Sequence, residues 1–378
     1  MKTQMKTIVS ALVALVTMTA QADVTVKNVV AQQRWPWNGL VDIDYTVEAD
    51  DPNADVFVYP VGFDNDRNIS IAPRTLTGAG ANGFVKPGTH RMTWDALKDE
   101  PDFNSSSFTV KMYAGTGMML YMVVDLSNGP AENMFYPVRY TNTPPDINDD
   151  ACRTTNMWLR LILPGTFMMG SPSMELGRGS DEDLRQVTIT QPYYIGVFEV
   201  TQKQYELVTG ENPSGYKGDT RPLESVSWEG IKGNFFGKLR SRTGIATCDL
   251  PTEAQWEYAC RAGTSTALNS GKDLTATGTC PNAAEVGRYN NNRSDGKGGY
   301  SQHTKVGMYL PNVWGVYDMH GNVDEFCLET SGNYRIARGG GHGGAGAYEV
   351  RSARRYTGTY YWNSNSSVGF RVCVVPAP

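Results

Sequence analysis

The sequence predicts an α+β chain: a small all-β sandwich, then a mixed domain with little regular secondary structure. Three observations carry that reading. Residues 24–120 alternate apolar and polar side chains in short runs, helix-start signals appear only after residue 200, and an acidic, proline-containing stretch lies between the two regions.

The first residues supply an address. Lys2 and Lys6 precede an apolar stretch, Ile8–Thr19, and Ala20-Gln21-Ala22 has the small-x-small form of a cleavage site, so residues 1–22 read as a secretory signal peptide. The stretch is shorter than the roughly twenty residues that a membrane span needs. A mature chain starting near Asp23, secreted or held in the periplasm or cell envelope, is the expectation. The full chain carries 34 basic and 39 acidic residues, a formal charge of −5. Loss of the two lysines in 1–22 gives 32 − 39 = −7, a balance that argues against nucleic acid as partner.

The β region is built from the runs Val24–Val26, Val41–Val47, Val56–Tyr59, Arg91–Trp94 and Phe108–Tyr113, separated by Gly, Asn, Asp and Pro clusters. Period-two runs at this spacing predict a small sandwich over 23–140. Met119–Asp125 extends the pattern, and residues 141–150, with Pro144-Pro145 and an acidic run, read as a linker because they continue neither strand nor helix.

Residues 151–378 carry three helix signals. Thr201 with Gln204 and Thr252 with Gln255 have capping-box spacing. Between them, Ser227 is placed to cap a helix whose Trp228, Ile231, Phe235 and Leu239 recur at helical spacing and which Gly244 stops. The last helix carries the stripe Trp256, Ala259 and Cys260 and ends at Gly263. All six cysteines (Cys152, Cys248, Cys260, Cys280, Cys327, Cys373) lie in this region. Export permits disulfides among them, six cysteines allow fifteen connectivities, and buried free thiols are the alternative, for Cys260 especially.

Ordered motifs run through the same region: Pro164–Gly170 (PGTFMMG), Phe198–Gln202 (FEVTQ), Val226–Trp228, Leu250–Thr264 (LPTEAQWEYACRAGT), Asn312–Phe326 (NVWGVYDMHGNVDEF), Arg335–Gly340 (RIARGG) and Gly369–Arg371 (GFR). In this order the segments resemble the formylglycine-generating enzyme family, the sulfatase-modifying factors. That resemblance implies a compact mixed fold related to C-type lectins. It also implies an oxidase that binds copper through two cysteines a few residues beyond an Arg-Gly-Gly-Ser motif, because soft thiolates select Cu(I). Here the motif reads Arg338-Gly339-Gly340-Gly341-His342, and no cysteine stands between Arg338 and Arg371. Copper is therefore not expected. Gly321–Phe326 (GNVDEF) also departs from the family's Gly-Asn-Val-Trp-Glu-Trp, losing both tryptophans.

What remains for chemistry is sparse. By resemblance, Asn322, Val323 and Glu325 match a structural calcium site, a ligand set of amide, carbonyl and carboxylate oxygens suited to that ion. His342 and Glu349 are the candidates for an acid–base or metal pair. Six glycines within Gly339–Gly346 predict close backbone approach to a ligand. Gly341, His342, Arg351 and Arg355 then line a groove, with Arg354, Tyr356, Tyr360, Tyr361 and Trp362 completing an aromatic and cationic rim for peptide or sugar. His320, before a Gly-Asn turn, reads as a hydrogen-bonded surface histidine. Hydrolase, kinase and dehydrogenase fingerprints are absent. The sequence thus predicts an exported binding or structural module with a peptide, protein or glycan ligand, the alternative being a metal-dependent oxidoreductase working near His342.

Overall fold

The computed structural model describes residues 24–376 apart from 37, 67–68, 72, 74, 82, 100–102, 117–118, 132–133, 293–301, 345 and 361–365. The stretch read as a signal peptide, and Tyr361 and Trp362 of the expected rim, lie outside the described residues. Two compact units form, the first comprising residues up to Met119 and the short segment Gly165–Phe167, the second most of Leu120–Pro376.

In the first unit every predicted run is a strand. One sheet orders Val24–Gln33, Leu40–Ala49, Gly88–Asp95 and Leu76–Gly78. In the other, Val56–Asp64 pairs with Ile69–Ile71, Phe84–Val85 and Phe108–Thr116. Alternation is strict in Leu40–Ala49, where Val41, Ile43, Tyr45 and Val47 are buried and the residues between face outward. Side chains of both sheets share one core, including Ile43, Tyr45 and Trp94 from the first and Val56, Val58 and Met112 from the second. The buried Trp94 indole donates to Asp99 at 2.7 Å, which satisfies a polar group that burial alone would strand.

The division between the units falls at Met119/Leu120, not near residue 140 as the sequence suggested. Tyr121–Asp125 pairs with Asn156–Ile162, from Asn156 opposite Asp125 to Arg160 opposite Tyr121. Val138–Thr141 pairs in turn with Tyr121–Asp125. Both belong to a six-stranded sheet of the second unit, continued by Tyr193–Gly196, Cys373–Val374 and Cys248–Asp249. A strand with four successive buried residues, as Tyr121–Asp125 has, gives no period-two signal of which sheet it joins. The expected linker 141–150 begins inside a strand and ends in a short 3₁₀ turn that Asp149 caps.

The three predicted helices form. Thr201 and Thr252 each complete a capping box with Gln204 and Gln255. Ser227 accepts the Gly230 N–H at 3.1 Å, and the helix behind it runs through a π segment, Gly230–Phe235, before Phe236–Thr243 ends at left-handed Gly244. The helix Glu253–Arg261 buries Trp256, Ala259 and Cys260. A further helix, Pro281–Val286, has no capping side chain, and its start signal is Pro281 at the first helical position. A second sheet, Arg355–Tyr360, Tyr334–Arg338, Asp324–Ser331 and Val368–Gly369, carries the Arg338 and Asn322–Phe326 motifs. All six cysteines are buried, unpaired thiols, so none of the fifteen connectivities forms. No described helix is long and apolar enough to cross a membrane.

Replacing the capping hydroxyl in Thr252→Ala removes the acceptor of the Gln255 N–H. A loss of about 1 kcal/mol is expected, seen as a melting temperature lower by roughly 2–4 °C for a unit of this size. An unchanged melting temperature counts against the cap.

Candidate functional site

The Gly321–Phe326 segment is organised by Asn322, whose backbone sits at φ 65°. Its side-chain oxygen accepts the Thr304 N–H at 2.8 Å, and its amide donates to Glu199 at 2.7 Å. Its carbonyl accepts the His342 N–H at 3.0 Å and faces His342 Nδ1 at 3.2 Å. One left-handed asparagine thus joins three segments distant in sequence. Beside it, Glu325 is wholly buried and accepts from Arg371 Nε and from Trp256 Nε1, at 2.6 and 2.7 Å. Arg371 Nη2 bonds the other Glu325 oxygen, and the guanidinium also reaches the Gly196 and Tyr317 carbonyls.

Those contacts bear on calcium. Both oxygens of Glu325 are committed to the chain's own donors, Asn322 Oδ1 already holds a backbone N–H, and the charge of Glu325 is met by Arg371. Asn322, Val323 and Glu325 therefore do not fit the expected ligand set. Near them Asp318 is buried, and burial pushes its carboxyl up to about 6. Its Oδ2 accepts the Gly307 N–H, whereas Oδ1 has no hydrogen-bond partner.

The glycine-rich stretch is packed. Gly341 and His342 are buried, Gly340 holds φ 74°, and a side chain there would strike the Glu349 carbonyl. A Cβ on Gly341 would meet Asp324 Oδ2, and one on Gly344 would collide with Glu349 Oε2. Two carboxylates thus fill the space above glycines in the stretch where catalytic members of the resembled family carry cysteines. Burial, reinforced by the charge of Glu349, pushes Asp324 up to about 7, opposed by Arg354 and by hydrogen bonds from the Gly340 and Gly341 backbone.

Arg351 and Arg355 do not form part of a cationic rim. Arg351 is fully buried, bonded to Glu182 at 2.7 and 2.8 Å, to Glu175 at 2.6 Å and to the Gly177 carbonyl at 2.6 Å. Arg355 pairs with Glu253 at 2.8 and 2.9 Å and with Asp181 at 3.3 Å. These guanidinium groups neutralise buried acids, which costs less than leaving the acids unpaired, and they are not available to a ligand. Of the expected groove residues, Gly341 and His342 share one loop, while Arg351 and Arg355 serve the packing.

His342 lies against His303 and Tyr216, with ring centroids 5.4 and 6.1 Å away and both pairs near perpendicular. His303 Nε2 is 3.7 Å from Glu224 Oε1, and His303, Glu224 and His342 are all buried. Sequence reading found none of His303, Tyr216 or Glu224 as partners of His342, because each arrives from a different loop with no fixed spacing. His320 is hydrogen-bonded as expected, to the Val350 carbonyl at 2.6 Å and from the Asn269 N–H at 3.0 Å. It is buried rather than on the surface, and burial lowers it to about 4.

Comparison with protein families matches residues 145–375 to the sulfatase-modifying factor enzyme 1-like domain. The chain belongs to this family. A chaperone protein LppX of Paenibacillus barcinonensis is 31% identical over 206 residues, covering 42% of this chain and 71% of the relative. Formylglycine-generating enzyme of Mus musculus is 23% identical over 276 residues, covering 56% of this chain and 73% of the enzyme. Among solved structures, PvdO from Pseudomonas aeruginosa superposes with a TM-score of 0.50 at 25% identity, covering 58% of this chain and 95% of that one. The loop after Arg338 in this chain holds six glycines, His342 and Glu349 and no thiol.

The raised Asp324 carboxyl has a pH signature. Between about pH 4 and 7 the native chain holds a proton that the unfolded chain has released, so this group's contribution to stability falls as pH rises and the fall is complete above pH 7. The Asp324→Asn variant lacks that loss. Its unfolding free energy is expected to match the parent's near pH 4 and to exceed it increasingly up to pH 7, by ~3 kcal/mol there. A difference independent of pH contradicts the assignment.

Proposed function

We propose that this member of the sulfatase-modifying factor family is an exported, non-catalytic binding module with a polypeptide partner. One observation supports the non-catalytic part above others: the stretch from Arg338 to Arg371 contains no cysteine. Five of the six thiols are poor replacements, and the sixth, Cys280, which burial raises but hydrogen bonds from Thr275 and the backbone bring below the ordinary thiol range, is one thiol where that site uses two. Burial pushes Cys152, Cys248, Cys260, Cys327 and Cys373 above the ordinary thiol range, and a Cu(I) site needs thiolates. The N-terminal basic and apolar residues support export. A polypeptide partner is supported by the relative whose name describes a chaperone, 71% of which is covered. A metal-dependent oxidoreductase working near His342 is the second reading, and the buried histidine cluster is the observation that favours it.

Titration of the reduced, full-length protein with Cu(I) against a chromogenic chelator tests the main reading. The expected outcome is that the chelator keeps the copper at every ratio. One copper withdrawn per chain overturns the proposal.

A further inference from the structure

The six-stranded sheet of the second unit ends at Val138–Thr141, which among the described residues pairs on one side only, with Tyr121–Asp125. Two bonds fix the direction of its backbone groups. The Asp125 N–H donates to the Pro137 carbonyl at 2.9 Å, and the Leu126 N–H donates away from this strand, to the Thr155 carbonyl at 2.7 Å. In an antiparallel ladder of this register Arg139 and Thr141 bond inward, and the N–H and C=O of Val138 and Tyr140 point away from the sheet. The two outward residues stand roughly 6.8 Å apart, the two-residue repeat of an extended chain. The strand carries neither lysine nor proline to blunt that edge.

The side chains around the edge are exposed on a backbone that is held in place. Tyr140 is 48% exposed, and Phe135, just before the strand, is 74% exposed. Between them Tyr136 is buried, its hydroxyl accepting from Arg242 Nη1 at 2.6 Å and lying 2.8 and 2.9 Å from the Leu207 and Gly129 carbonyls. Asn128 Nδ2 donates to the Phe135 carbonyl at 2.7 Å. Aromatic side chains on a backbone fixed in this way lose little freedom when a partner covers them. Arg139 adds a charge: it is exposed, its guanidinium carbon lies 5.1 Å from the Trp158 ring centroid, and among the described residues it has no carboxylate partner.

We infer that the free edge of Val138–Thr141 binds an extended, acidic segment of a partner polypeptide as an added strand. Two outward donors and two outward acceptors at strand spacing are matched by an extended backbone, which supplies the affinity, while alternate side chains supply the selectivity. The position opposite Arg139 takes an acidic side chain, and the positions on either side of it, opposite Val138 and Tyr140, take apolar ones. The inference rests on the polypeptide partner proposed above and gives it a place on the molecule and a chemistry.

A phage-displayed library of random linear peptides, selected on the full-length protein, is the probe. The expected result is enrichment of sequences with an acidic residue between two apolar ones, which as synthetic peptides bind with a dissociation constant below about 1 mM. Methylating one alternate set of backbone nitrogens in such a peptide is expected to weaken binding by roughly tenfold or more, and methylating the other set to leave it within about twofold. Arg139→Glu is expected to weaken the acidic peptides to a similar extent. Tyr140→Pro, which deletes an outward donor, is expected to abolish binding. Melting temperatures establish that both variants are folded, and the methylated peptides decide the matter without altering the protein. Peptides that bind regardless of which nitrogens are methylated, or that bind Tyr140→Pro as well as the parent, overturn the edge while leaving a polypeptide partner elsewhere. Failure to enrich any peptide overturns both. A dimer of the chain that Tyr140→Pro dissolves, seen by sedimentation, overturns the inference by making a second copy the occupant.

Discussion

The buried pair of Arg371 and Glu325 is the contact on which the second unit depends. Both groups are 0% exposed, and each is satisfied on several sides. Arg371 follows Val368–Gly369, which runs parallel to Asp324–Ser331 in one sheet, and it also bonds the Gly196 carbonyl of the six-stranded sheet. Trp256 brings the helix Glu253–Arg261 onto the same carboxylate. One ion pair therefore ties two sheets and a helix. Removing charges from water is expensive, so an arrangement of this kind persists only when almost every donor and acceptor finds a partner.

Two more buried arginines repeat the device. Arg338 bonds Glu257 at 2.8 Å and Glu253 at 3.1 Å from one face of the helix, and Arg351 is enclosed by Glu182 and Glu175. Side chains that resemble a cationic binding rim in sequence are the internal cross-links of a domain poor in regular structure. The cost of this design is visible next to it. Asp318 and Glu199 are buried acids near Arg371, whose donors are already engaged, and burial pushes both carboxyls upward.

The parts of the structure legible in sequence are those set by local rules. Capping hydroxyls at Thr201, Ser227 and Thr252 and the alternation in Leu40–Ala49 act over a few residues, and each formed as read. The family follows from motifs whose order survives in the chain. The unit boundary was misplaced because Tyr121–Asp125 is buried along most of its length and its partner strand lies beyond residue 155. The fate of Arg351 could not be read, since Glu182 is 169 positions away and charge type alone does not distinguish a ligand rim from an internal counter-ion. His303 gave no signal for the same reason: its neighbours Glu224 and His342 come from separate loops.

The account stands on Glu325 being the counter-ion of Arg371, and a double-mutant cycle measures that coupling directly. Urea unfolding of Arg371→Met, Glu325→Gln and the double variant gives the interaction energy, with Gln keeping an acceptor for Trp256. If the pair is mutual, Arg371→Met alone leaves a buried unpaired carboxylate and costs about 3–5 kcal/mol. The double variant then costs less than the sum of the singles by ~2 kcal/mol or more. Costs that add to within about 0.5 kcal/mol would show that Glu325 answers to some other partner, and the central contact of this structure would be wrong.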